Sequence, residues 1–375
     1  MKTKIFKSAI SDVETIIKHA LIKLFPAKSN KIGPGEIKLS EYKNIIVVRQ
    51  HDPMGDILLS TAVIPNIKMA LPEAKIDVVT RPELNEKDIF TGNTYINNII
   101  VFSKRKLIFL PYIIIFLKQI RKVKYDLAIV PGSTSVSFFS LLIAYFSKAP
   151  VRVGYDGQYF KRKHYTEKFL TTEVPYDGSA KKHQVERNLD ILRYIGIPIK
   201  TEEHYMATLK EEDEWAKANY KENNVNFPGL VIGIHPGANR IDNRWAVEKF
   251  IKISEYFVQK HKAKIVLFSG PKERDLAEVF TKQSKFPVFA TPLLTLRQFA
   301  SMVKPLSLFI CNDTGVLHVA AALGTPTLAV FGPTDPLLWN PLGENHSVVR
   351  DKSCLVENVN PETVIKEAER ALKIG

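Results

Sequence analysis

Hydrophobic and polar positions along this chain switch between two periods. From Asn44 onward, short β-branched runs appear at Ile45 to Arg49, Ile76 to Thr80, Ile99 to Phe102 and Leu127 to Val130. Between them lie stretches with three- and four-residue apolar spacing, the clearest from about Ile57 to Leu71. The second half repeats the theme with strands at Leu230 to His235, Ile265 to Ser269, Ser307 to Cys311 and Thr327 to Phe331, and helices near Ala246 to His261 and Glu273 to Gln283. Strands alternating with helices predict βαβ units and parallel sheets. Two such sets predict an α/β protein of two doubly wound domains facing a central cleft, with ligand groups on the loops that follow strands. The expected boundaries are an amphipathic N-terminal helix and linker over 1–40, a first domain over 41–205, a polar connection over 206–228 and a second domain over 229–375.

The N-terminal stripe of Ile5, Ile10, Val13, Ile17, Ala20 and Leu24 puts apolar residues on one helical face, with Lys4, Lys7 and Lys18 largely off it. Such a helix fits a membrane interface, a partner, or this protein's own surface. Acidic and basic residues interrupt it, so it does not read as a signal peptide. The apolar stretches Leu107 to Leu117 and Val136 to Phe146 are about half the ~20 residues of a spanning helix, and the second reads as a core helix. Composition is that of an ordinary globular chain, 45% hydrophobic and 25% charged. The net charge of +14 points to anionic partners. Basic residues are interspersed with acids and not interleaved with aromatics, so nucleic acid is not among the expected partners. Two cysteines, Cys311 and Cys354, leave no disulfide framework and suit a reducing, cytoplasmic setting.

Three motifs carry candidate chemistry. In R-Q-H-D-P-M-G-D-I, Arg49 to Ile57, a polar loop joins a buried strand to a helix, and Asp56 is either a helix cap or a general base at the cleft mouth. H-P-G-A-N-R-I-D-N-R-W, His235 to Trp245, also joins strand to helix. There Gly237, Ala238 and Asn239 leave the backbone open while Arg240 and Arg244 supply positive charge suited to a diphosphate, a solvated turn being the other reading. The densest is C-N-D-T-G-V-L-H-V-A-A-A-L-G-T-P from Cys311, followed by F-G-P-T-D-P. Asp313 could accept from sugar hydroxyls, the Thr314 and Gly315 amides could donate to phosphate, and His318 lies one turn into the helix. No D-x-D pair and no dinucleotide or P-loop glycine pattern is present, so no metal and no nicotinamide or other cofactor is expected. Leaving-group charge would fall to helix N-termini and arginine.

Together these motifs resemble the ADP-heptose:lipopolysaccharide heptosyltransferase family, glycosyltransferase family 9, over the chain from about Asn44 to the C-terminus. The resemblance implies two Rossmann-like domains of the glycosyltransferase B type and a metal-independent, inverting transfer. On this resemblance a sugar, a heptose, would pass from a nucleotide-diphosphate donor to a hydroxyl of an anionic lipid-linked glycan such as lipopolysaccharide core. It assigns Asp56 the general base, and Gly237, Ala238, Asp313, Thr314, Gly315 and His318 the donor. Lys272, Glu273 and Leu294 match nucleotide-contacting stretches loosely. One departure stands out: the family commonly carries Lys where this chain has Asn243, so Arg240 or Arg244 compensates or the donor differs. Arg152 in V-R-V-G-Y is a candidate for an acceptor phosphate or for a surface ion pair. An epimerase or hydrolase acting on nucleotide sugars, or a binding protein that has lost catalysis, remains open on the same fold. Residues 1–26 are expected to help the enzyme sit on the inner face of the cytoplasmic membrane.

Overall fold

The computed structural model describes residues 22, 25, 29–50, 53–82, 87–132, 137–160, 165–175 and 181–374. The expected amphipathic helix over 1–26 lies outside them but for Ile22 and Phe25, as do His51 and Asp52 of the first motif. The described part of the 1–40 linker runs along the first domain, where the Ser29 and Ile32 amides donate to the carbonyls of Glu167 and Thr171.

Two six-stranded parallel sheets form the frame. The first holds β1 (Asn44–Val48), β2 (Lys75–Thr80), β3 (Asn98–Val101), β4 (Leu127–Val130), β5 (Val151–Tyr155) and β6 (Thr172–Val174) in the order β3-β2-β1-β4-β5-β6. The second holds β7 (Val231–His235), β8 (Lys264–Leu267), β9 (Val288–Ala290), β10 (Leu308–Asn312), β11 (Thr327–Phe331) and β12 (His346–Arg350) in the order β12-β11-β10-β7-β8-β9. Both are the doubly wound order, with the strand sequence reversing between β1 and β4 and again between β7 and β10. Ligands of such sheets bind outside the carboxyl ends at that reversal. The central strands β1, β4, β7, β10 and β11 are nearly continuous apolar runs because helices cover both faces.

The helix read over Ile57 to Leu71 is two, Met54–Ser60 and Val63–Ala70. At the break Pro65 has no N–H for the Thr61 carbonyl, while the Thr61 hydroxyl donates to the Leu58 carbonyl at 2.7 Å and accepts from the Tyr205 amide at 2.9 Å. The polar stretch 206–228 carries the helix Lys210–Glu222, which packs on the second domain's helix Leu296–Val303. Tyr220 is buried there, and Arg297 reaches back to the carbonyls of Asp88, Thr91 and Ala207. That arginine ties the two domains at one edge of their seam.

Candidate functional site

The loops after β1, β7 and β10, beside both strand-order reversals, converge on one cavity of about 800 Å³ between the domains. Asp56 is the third residue of Met54–Ser60, is only 4% exposed and lines this cavity. The N-cap position of that helix is Pro53, so Asp56 does not cap it. Opposite, Asp313 and Thr314 lead from β10 into the helix Gly315–Ala322. The N-terminal turns of the two helices meet. A Cβ on Gly55 would lie 2.7 Å from His318 Cδ2, and one on Gly315 would lie 2.9 Å from Met54 Cε. Both glycines are therefore sites of close approach, and they bring a carboxylate of one domain to the positive end of a helix of the other.

Asp313 is mostly buried, and desolvation raises its carboxyl above the ordinary range, with the Thr334 hydroxyl, Arg240 and Asn243 pulling the other way. Asn243, 4% exposed, donates from Nδ2 to Asp313 Oδ2 at 2.9 Å and to Thr334 Oγ1 at 3.2 Å. It fixes the orientation of Asp313 and contributes no charge. Arg240 reaches the cavity wall while paired with the exposed Asp242, its Nε 2.9 Å from Oδ1. Arg244 turns the other way, donating from Nε to the Ala238 carbonyl at 2.7 Å, and Ala238 is fully buried. Of the two arginines, the structure brings only Arg240 to the cavity; Arg244 and Ala238 support the turn behind it.

Asn239, Lys272, Glu273, Leu294, Thr314 and His318 also line the cavity. Glu273 accepts from the Gly270 amide at 2.8 Å and lies 3.6 Å from His235 Nε2, which with that amide holds its carboxyl below the usual range. A side chain on Gly237 would collide with that carboxyl, so Gly237 serves the packing of Glu273 against β7. Arg152 is elsewhere. Its Nε donates to the Phe169 carbonyl at 2.6 Å and its Nη1 to the Ala149 carbonyl at 2.7 Å, beneath the Tyr145 ring. Those bonds staple β5 to its neighbours and leave the surface ion-pair reading without support. Residue reading missed Met54, Phe268, Thr291, Thr334 and Trp339 of the lining. Thr334 was within reach, since it stands in the quoted F-G-P-T-D-P.

Behind the cavity, four histidines gather along the seam. The His204 ring packs edge-on against His318 with centroids 6.0 Å apart. His183 Nε2 donates across the seam to the Asn340 carbonyl at 2.8 Å, and His346 Nδ1 meets Thr327 Oγ1 at 3.0 Å. Burial lowers all four: His318 to about 3, His346 to about 4, His183 below its usual value and His204 well below it. Among the described residues no three His, Cys, Asp or Glu side chains converge as metal ligands. The unfolded chain takes up protons near pH 6.5 that the folded seam refuses, so stability is fully present above about pH 6.5 and is lost as pH falls toward 4. His204, His318 and His346, the most strongly lowered, each cost up to about 1.4 kcal/mol per pH unit as the pH falls through that window. Denaturant midpoints should be flat above neutrality and fall steeply between pH 6.5 and 5; a flat profile across that range would refute a neutral histidine seam.

Comparison with known proteins agrees with the fold. Residues 113–366 match the model of glycosyltransferase family 9 (heptosyltransferase). Lipopolysaccharide heptosyltransferase 3 of Escherichia coli K12 is 30% identical over 303 residues, 78% of this chain and 83% of that protein. Among solved structures, a family 9 glycosyl transferase from Veillonella parvula superposes with a TM-score of 0.77 at 21% identity, covering 90% of this chain and 99% of that one. The E. coli heptosyltransferase WaaC with ADP-2-deoxy-2-fluoro heptose superposes with a TM-score of 0.67 at 20% identity, covering 87% of this chain and 99% of that one. The chain is thus a glycosyltransferase of two facing Rossmann-like domains and belongs to glycosyltransferase family 9, the heptosyltransferases.

Proposed function

We propose that the enzyme transfers a heptose from a nucleotide diphosphate to a hydroxyl of a lipopolysaccharide core or related surface glycan, without a metal and with inversion. The observation that carries this reading is the meeting of Asp56 with the Asp313–His318 segment at the mouths of two helices, on the wall of one cavity. Asp56 would take the proton of the acceptor hydroxyl as its oxygen attacks the anomeric carbon. The bond to the diphosphate breaks on the opposite face. The amides of Thr314 and Gly315 and the guanidinium of Arg240 would receive the charge that develops there. Arg240 would exchange Asp242 for phosphate, supplying the cation that Asn243 does not. Asp313, held by Asn243 and Thr334, would accept from hydroxyls of the donor sugar. The acceptor is anionic and lipid-linked on this reading, so the enzyme works against the inner face of the cytoplasmic membrane.

Calorimetric titration with ADP-heptose, UDP-sugars and GDP-sugars in EDTA tests the donor. Selective binding of ADP-heptose that Asp313→Ala abolishes is the expected result; binding of another nucleotide sugar alone removes the heptose. Products formed with and without acceptor separate transfer from hydrolysis or epimerisation. Asn243→Ala should leave the buried Asp313 carboxyl short of a donor and weaken ADP-heptose binding by roughly tenfold. Unchanged affinity in that variant would show that Asp313 needs no help from Asn243.

A further inference from the structure

The helix Leu110–Ile120 shows water an apolar face that a soluble surface rarely tolerates. Leu110 is 65% exposed, Ile114 46% and Ile115 64%, and Phe109 just before them is 59% exposed. Residues four apart share a helix face, so Leu110 and Ile114 continue into Lys118, and Pro111 and Ile115 continue toward Gln119. The opposite side packs inward through Phe116 and Ile120 and is already satisfied by the first domain's core. The charge around this face has one sign. Exposed Lys104, Arg105 and Lys106 precede it, and exposed Lys118, Arg121, Lys122 and Lys124 follow. No Asp or Glu occurs between Asp88 and Asp126.

We propose that this face docks the enzyme on an anionic lipid bilayer, the apolar residues entering the headgroup–acyl boundary while the lysines and arginines meet lipid phosphates. The inference deepens the reading of a lipid-linked acceptor by naming the surface that meets the lipid. An apolar patch ringed by cations matches an anionic interface in both of its components. The helix has 11 residues, too short to cross and long enough to lie in the interface. Its position suits delivery of an acceptor. The helix follows β3 through 102–109, so Phe109 and Leu110 stand on the carboxyl-end side of the sheet, the side on which β1 presents Asp56.

The test is cosedimentation of the full chain and of L110E/I115E with vesicles of equal parts phosphatidylethanolamine and phosphatidylglycerol, and with phosphatidylcholine alone. The expected result is binding of the unaltered chain to the anionic vesicles, weakened by salt, and a loss of roughly tenfold or more in the variant. Melting temperature and ADP-heptose binding should be unchanged. If the unaltered chain ignores both vesicles, the membrane reading and this surface fall together. If it binds and L110E/I115E binds equally, this surface is overturned while the membrane reading stands. If the substitutions lower the melting temperature by several degrees, the face is covered by this chain's own residues and the proposal fails.

Discussion

Asp56→Asn should lower kcat by ~10²- to 10⁴-fold, the usual worth of a general base, and leave ADP-heptose binding intact. Asn keeps the size of the side chain and one oxygen acceptor but cannot take a proton. The substitution therefore separates two explanations that the sequence left side by side. A helix-capping role would survive it, because Asn and Asp serve that position about equally well. The structure weakens the capping role independently, since Pro53 occupies the N-cap and Asp56 stands three residues further along, on the cavity wall. Steady-state transfer with saturating donor gives kcat, and calorimetry gives donor affinity for the same preparation. A folded Asp56→Asn enzyme with near-normal turnover would remove Asp56 from the chemistry and send the search for a base to the other cavity-lining groups.

What the sequence revealed about this site, and what it hid, follow from the same physics. The inner strands β1, β4, β7, β10 and β11 were legible because burial on both faces leaves nearly unbroken apolar runs. Half-exposed β3 still showed as a β-branched run, but β6, which Glu173 interrupts, and β12, which alternates between buried and partly exposed residues, did not. Asp56, Asp313 and His318 could be picked out because they sit where buried strands end, and the chain itself places them at the cleft. Arg152, Arg240 and Arg244 look alike in a sequence, since residue type gives the charge without its direction. The partners that the fold offers decide it, the Phe169 carbonyl across the loop for Arg152 and the neighbouring Asp242 for Arg240. The Leu110–Ile120 face is a related case. Its apolar run was visible and read only as too short to span a bilayer, whereas the domain's core takes one side and leaves the other in water.

Gly55→Ala should reduce kcat/KM by about 10²-fold, the scale of an ångström's misplacement of a catalytic group, without unfolding the protein. Within a helix, Ala is favoured over Gly by about 1 kcal/mol, so if Gly55 were there only for local chain freedom the substitution would stabilise the enzyme and spare its activity. The new Cβ would instead lie 2.7 Å from His318 Cδ2. That ring cannot easily yield, being buried and backed by His204. The helices Met54–Ser60 and Gly315–Ala322 would have to separate, carrying Asp56 away from Asp313. Gly315→Ala provides the internal comparison. Its Cβ would meet the terminal methyl of Met54 at 2.9 Å, the far end of a flexible side chain that can swing aside. The expected order is therefore a large loss for Gly55→Ala and a small one for Gly315→Ala, both read as kcat/KM at fixed acceptor. Equal and minor losses would mean that the two domains do not need this contact to bring base and donor together.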